Sequence, residues 1–279
     1  MRRISAGSGA PDTIVLIHGL WMTPRSWERW AERYQAAGFR VLTPAWPGFE
    51  GDIDQIRTDG SPIGRLTMRQ VVDHYDRVIR ELDKPPIIIG HSFGGSVVQV
   101  LLSRGLGAAG IAVDSGPVKG VRRLPGSTLR SAYPVLRSPA NRHRPVSLSP
   151  EQFHYAFANT MSRRDSDAAY ERYHVPAASH VLFEGAVASL NPRSAFRVDF
   201  GRIDRAPLLF IAGGADHISP PSVNKTNAGR YQRSPAVTGY REFPGRSHFI
   251  VGEDGWEEVA DYALEWGLEA AAMRQPQPR

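Results

Sequence analysis

At 279 residues, with 41% hydrophobic and 22% charged residues, the chain can form one large globular domain or one domain carrying an insertion. No apolar run approaches the length of a membrane-spanning helix, and the absence of cysteine excludes disulfides and thiol chemistry. The net charge of +6 comes from 31 Arg and only 3 Lys, which reads as coding bias; no nucleic-acid motif or aromatic interleaving accompanies it, so no nucleic-acid partner is expected.

Met1-Arg2-Arg3 has the charge of a signal n-region, but residues 5–12 are polar and Gly-rich where an apolar h-region would stand. The expectation is a cytoplasmic protein without stable membrane insertion. Residues 13–17 form an apolar strand that ends at His18-Gly19-Leu20-Trp21. Residues 24–37 have helical periodicity, with Trp27, Trp30, Ala31 and Tyr34 on one face, and Gly38 as the stop. A second strand over 40–43 leads into a Pro/Gly-rich loop containing Trp46 and Phe49, and residues 52–66 read as irregular. Thr67-x-x-Gln70 is a capping box, and Val71, Val72, Tyr75, Val78, Ile79 and Leu82 form the stripe of the helix it opens.

Pro85 and Pro86 bar a helix upstream of Ile87, so residues 87–91 read as a buried strand. It ends at Gly90-His91-Ser92-Phe93-Gly94-Gly95 and passes straight into an apolar helix closed by Gly105. Strand, G-x-S-x-G, helix is the setting in which this motif means a nucleophile elbow. The two glycines leave room where strand and helix approach, and the serine projects above the sheet. A further strand over 110–114 completes a β-α-β-α-β-α-β rhythm, which implies a parallel, doubly wound sheet.

That rhythm stops at Ser115. Up to about Asp204 no comparable strand follows, and Pro117, Pro125, Pro134, Pro139, Pro145 and Pro150 punctuate the first part. Helices are expected over 151–160, 165–173 and 179–189. The segment is too long for a connection, so 116–205 reads as a helical cap, with 1–115 and 206–279 as the core. Its stretch 119–144 holds Lys119 and six arginines without an acid, read as a solvated basic face, with attraction of anionic substrates or an acidic surface as the alternative. The core resumes with a strand over 206–212 that ends at Gly213-Gly214-Ala215-Asp216-His217 and leads to a helix after Pro221. A strand over 237–243 leads to Pro244-Gly245-Arg246-Ser247-His248-Phe249, and a closing helix spans about 254–268. The Pro-rich tail at 275–279 is expected to be disordered.

Ser92, Asp216 and His248 each follow the carboxyl end of an expected parallel strand, the edge where open sheets place ligands. Serine needs a base to take its proton, and the base needs a carboxylate to hold its tautomer and stabilise the imidazolium. The backbone N–H groups of Phe93 and Leu20 are the candidate oxyanion donors; such a donor contributes about 2.7–4 kcal/mol in the transition state. Asp114, which also ends a strand, is the alternative acid. His217 lies on the acid's own loop and is set aside as base. His91 reads as elbow support, and Trp21, Trp46 and Phe49 are candidate pocket walls. No metal-ligand spacing and no dinucleotide or P-loop pattern occurs, so no metal or cofactor is expected.

His18-Gly19-Leu20, Gly90-His91-Ser92-Phe93-Gly94-Gly95, Gly213-Gly214-Ala215-Asp216 and Gly245-Arg246-Ser247-His248-Phe249 together resemble the α/β-hydrolase superfamily across nearly the whole chain. The resemblance implies an α/β-hydrolase fold with a helical cap over the pocket, and a serine hydrolase without cofactor acting on a small molecule. Two departures stand out. Only about 12 residues precede the first strand, so the usual antiparallel edge is truncated, and Ala45-Trp46-Pro47-Gly48 lacks the Asp many members carry there. An ester or lactone cleaved through an acyl-serine is the leading expectation. Carbon–carbon hydrolysis of diketone-like substrates uses the same residues and stays open, as does a non-catalytic ligand receptor.

Overall fold

The structure is a computed structural model that describes residues 10–274; the Met1-Arg2-Arg3 start and the tail at 275–279 lie outside the described residues. β1 (Thr13–Ile17) is buried throughout, as its unbroken apolar run requires in a sheet covered on both faces. A 3₁₀ turn over Pro24–Trp27, with Thr23 as its cap, leads into α1 (Glu28–Ala36), and β2 (Arg40–Leu42) follows. α2 (Ile53–Thr58) precedes α3 (Met68–Arg80), whose Thr67–Gln70 capping box is present in both directions. β3 (Ile87–His91), α4 (Phe93–Ser103) and β4 (Ala109–Val113) complete the first half.

Between β4 and the next strand the chain makes a helical excursion: α5 (Gly126–Leu136), α6 (Pro150–Ala156), α7 (Arg163–Tyr173) and α8 (Ser179–Ala186). β5 (Leu208–Gly213), α9 (Pro221–Gly229), β6 (Thr238–Phe243) and α10 (Trp256–Arg274) close the fold. The six strands lie in the order β2-β1-β3-β4-β5-β6, every pair parallel, and no antiparallel strand joins them among the described residues. The order reverses direction between β1 and β3, and the crevice at such a reversal is where open α/β sheets bind ligands. Leu20 follows β1 and Ser92 follows β3, so both stand at that crevice.

α1 packs against α10 and the turn before it: Trp30 Nε1 donates to the Val251 carbonyl at 2.9 Å, and Tyr34 Oη to that of Ala260 at 2.8 Å. α4 packs on β3 and β4 so closely that a Cβ at Gly90 would stand 2.2 Å from the Gly94 carbonyl oxygen. A Cβ at Gly94 would stand 2.2 Å from that of Ile17. The glycines two before and two after the serine are therefore steric requirements.

Three elements differ from the sequence reading. Residues 53–58, expected to be irregular, form α2, because Ile53 and Ile56 bury against the core and Arg57 donates to the carbonyls of Tyr170, Glu171 and His174 at the end of α7. α5 forms in a segment punctuated by prolines. Pro134 lies within its last turn, where its missing N–H costs one bond, and the helix buries Pro134 and Val135. α10 runs on to Arg274, beyond the expected stop near Leu268.

Candidate active site

Among the described residues, three non-glycine positions adopt a positive φ: Trp21 at 64°, Ser92 at 56° and Asp114 at 45°. Each stands just past the carboxyl end of β1, β3 or β4. Such strained backbone persists only where the surroundings over-determine it, and it concentrates at functional sites. Ser92 is clamped from both sides, its N–H donating to the Val113 carbonyl at 2.9 Å and its carbonyl accepting from Gly116 at 3.0 Å. Its side chain sits so close to the turn after β1 that a Cβ at Gly19 would come within 2.7 Å of the Ser92 Cβ. Ser92 is buried at the floor of a cavity.

The loops after β5 and β6 bring Asp216 and His248 together. His248 Nδ1 lies 2.7 Å from Asp216 Oδ2, with both side chains out of solvent. Asp216 Oδ1 accepts from the N–H groups of Ile218 at 2.6 Å and Ser219 at 3.0 Å, so its carboxylate cannot rotate away. The other imidazole nitrogen, Nε2, is buried without a hydrogen-bond partner among the described residues. An imidazole with a carboxylate on one nitrogen and a free lone pair on the other can take a proton from a hydroxyl and return it to a leaving group.

The supporting shell is built from backbone-directed bonds. His91 Nε2 lies 2.8 Å from the His248 carbonyl oxygen, and the two rings are 4.6 Å apart. Burial, and then the neighbouring His248, push the His91 pKa well down, so His91 braces the loop as a neutral ring. His18 is likewise held neutral, its pKa lowered by burial to about 4; Nε2 accepts from the Trp46 N–H at 3.1 Å and Nδ1 faces the Gly19 carbonyl at 2.9 Å. Glu253, unremarked in the sequence, is buried and accepts from the N–H and hydroxyl of Ser247 and from Thr160. The Phe157 ring packs edge-on against His248 at 5.0 Å, and its carbonyl accepts from the Phe249 N–H. Neither contact has a local signal, since each partner lies far away in sequence or carries no motif.

Asp114 lies beside this pair. Its Oδ1 accepts from the Gly213 N–H at 2.6 Å, while Oδ2 is buried without a partner among the described residues. Burial, followed by the charge of Asp216, raises its pKa well above the usual carboxylate range. Its carboxyl ties the end of β4 to the end of β5, and it is Asp216 that meets the imidazole. His91, Asp114 and His248 bring potential metal-ligating atoms within 4.8 Å of one another, a grouping invisible in sequence spacing.

As the first residue of α4, Phe93 has an N–H without an intrahelical acceptor. The Leu20 N–H has no acceptor among the described residues either. The cavity above Ser92 has a volume of about 360 Å³, and apolar groups dominate its walls. Trp21 and Phe93 line it, with α5, α8 and the turn after β4 adding Val118, Leu129, Leu136 and Leu182, and the loop after β5 adding Ile218. Trp46 and Phe49, expected as pocket walls, are fully buried elsewhere; they pack on the His18 ring at 5.1 and 5.5 Å and so support the Gly19–Leu20 turn from behind. The His217 ring lies tilted against Tyr155 at 4.5 Å, with Nδ1 2.7 Å from the Tyr155 carbonyl oxygen, and takes no part in the Asp216–His248 pair.

A parallel, doubly wound sheet with a strained serine elbow defines an α/β-hydrolase architecture. The chain belongs to the alpha/beta hydrolase family, whose model matches residues 14–262. It superposes on a monoacylglycerol lipase from Paleococcus ferrophilus with a TM-score of 0.64, at 22% identity over 94% of this chain and 96% of that one. An extracellular α/β-hydrolase from a Paenibacillus species gives 0.67 at 20% identity, covering 91% and 98% of the two chains. A pyrethroid hydrolase from Sphingobium faniae gives 0.64 at 18% identity over 91% and 96%. At these identities the likeness is one of fold. No curated protein matches the sequence.

Proposed function

We propose that the protein is a serine hydrolase that cleaves carboxylic esters, lactones included, through an acyl-serine intermediate. The observation that carries this reading is the buried His248–Asp216 pair with a free Nε2, set on the same sheet edge as the strained Ser92. Ser92 Oγ attacks the ester carbonyl while His248 Nε2 takes the hydroxyl proton, and Asp216 stabilises the imidazolium. The Leu20 and Phe93 N–H groups receive the oxyanion. His248 then gives the proton to the departing alkoxide, leaving the acyl group on Ser92. Water, deprotonated by His248, attacks that acyl group; the carboxylic acid departs and the serine recovers its proton. Residues 116–205 act as a cap, placing α5 and α8 over the acyl group. The names of the lipase and pyrethroid-hydrolase neighbours agree with ester chemistry.

A panel of p-nitrophenyl esters of increasing acyl length, run beside a lactone and a diketone, tests the substrate class. The apolar cavity favours esters with an alkyl or aryl acyl group over charged ones. A fluorophosphonate probe should label Ser92, and Ser92→Ala should abolish labelling and lower kcat by about 10⁶ with the fold intact. A variant keeping more than a tenth of wild-type turnover would remove Ser92 from the mechanism.

A further inference from the structure

The mouth of the cavity has an apolar surround. Of the eight large apolar side chains exposed among the described residues, six belong to the excursion, and five of these lie on or beside α5 and α8: Leu124, Leu129, Tyr133, Val187 and Leu190. Leu190 is 82% exposed and Tyr133 63%. Leu124, Leu129 and Leu190 also line the cavity above Ser92, so the exposed patch and the substrate entrance are continuous. Tyr133 follows Leu129 by one helical turn along α5, and Val187 precedes Leu190 at the end of α8.

The same rim is cationic. Arg122, Arg123 and Arg137 are exposed, and no carboxylate pairs with them among the described residues. No Asp or Glu occurs anywhere in 116–150. On α8, Glu184 is engaged by the Met68 N–H. A second copy of the chain would bring this positive face against itself, which disfavours that occupant. An apolar patch ringed by unpaired arginines matches the boundary of a lipid layer with anionic headgroups, where apolar side chains enter the acyl boundary and cations stay at headgroup level.

We propose that the α5–α8 rim docks on the surface of an anionic lipid layer, so that the esters reaching Ser92 are amphiphiles drawn from that layer. This deepens the ester-hydrolase reading and rests on it for the nature of what enters the cavity. No helix of the described residues is long and apolar enough to cross a membrane, so the contact is peripheral.

The test is co-sedimentation of the full chain, as wild type and as Ser92→Ala, with vesicles of phosphatidylcholine containing a quarter phosphatidylglycerol, against vesicles of phosphatidylcholine alone. Both proteins should sediment with the anionic vesicles at low salt and be released as salt rises. Arg123→Ser and Arg137→Ser should each weaken binding about fivefold, and Tyr133→Gln with Val187→Gln should weaken it further. All four changes lie off the cavity wall, so turnover of soluble p-nitrophenyl acetate should stay at the wild-type level. Equal binding to both vesicles, no binding to either, or indifference to these substitutions would overturn docking. Self-association abolished by Tyr133→Gln would instead make the patch a contact between copies. An active esterase that fails to sediment sinks docking alone. A chain that sediments but turns over no ester sinks the hydrolase reading alone.

Discussion

The sheet edge and the helical excursion hold their functional groups by different physics. At the edge, backbone sets position: three residues are locked at positive φ, Gly90 and Gly94 admit no Cβ, and Ser92 is hydrogen-bonded on both sides to β4 and its exit. In the excursion, position comes from side chains. One half is part of the core, with Phe153 and Phe157 stacked at 5.0 Å and fully buried beneath His248's loop. The other half, α5 and α8, borders the cavity and leaves Leu129, Tyr133 and, just past α8, Val187 and Leu190 in solvent. The sheet edge is thus the part least able to change shape, and the α5–α8 half of the excursion the part most able to.

The largest effect that would sharpen this contrast is expected at the edge. Asp216→Asn keeps shape and burial but favours the wrong imidazole tautomer, and should lower kcat at least about 10³-fold while thermal unfolding stays nearly unchanged. Unimpaired turnover at matched folded concentration would move the acid elsewhere. Within the excursion, Phe157→Ala should remove about 3–5 kcal/mol of stability by denaturant unfolding, as for a buried core aromatic. Leu129→Ala on α5 should change stability little and acyl-length preference more. Equal losses for the two would break the division of the excursion into a core half and a pocket half.

Acidification probes the edge through His18. Its folded pKa of about 4 lies below the usual 6.5, so the unfolded chain takes up the proton first. Stability is therefore complete above pH 6.5 and falls as pH drops through that window, by about 3 kcal/mol near pH 4. His174, lowered to about 3 by burial within the excursion, adds in the same direction. A melting temperature that is flat from pH 7 to 4 would contradict both. The smallest effect belongs to Asp114. Its raised pKa means that the folded state holds the proton more tightly, so its contribution is lost as pH rises rather than as it falls. Asp114→Asn keeps the acceptor for the Gly213 N–H and should cost less than tenfold in kcat. A loss comparable to that of Asp216→Asn would make Asp114 the acid.

Much of this molecule follows from local pattern. Continuous β-branched runs had to become buried parallel strands, the Thr67–Gln70 box had to open a helix, and G-x-S-x-G between strand and helix had only one sterically open arrangement. These features depend on neighbours within a few residues, which is why the strand ends that carry Ser92, Asp216 and His248 could be read directly. Tertiary structure alone decided the rest. α5 forms despite Pro134 because packing outweighs propensity, and Trp46 and Phe49 turn to support His18 because the loop after β2 folds beneath it and not over Ser92. Thr160 and Phe157 reach Glu253 and His248 only once a distant segment folds back onto this loop, and which carboxylate meets Nδ1, at 2.7 Å, is likewise a matter of where the β4 and β5 loops end up. Spacing along a chain encodes period and sterics; it does not encode which faces a long excursion turns toward the sheet, because those are settled by side-chain contacts between residues far apart in sequence.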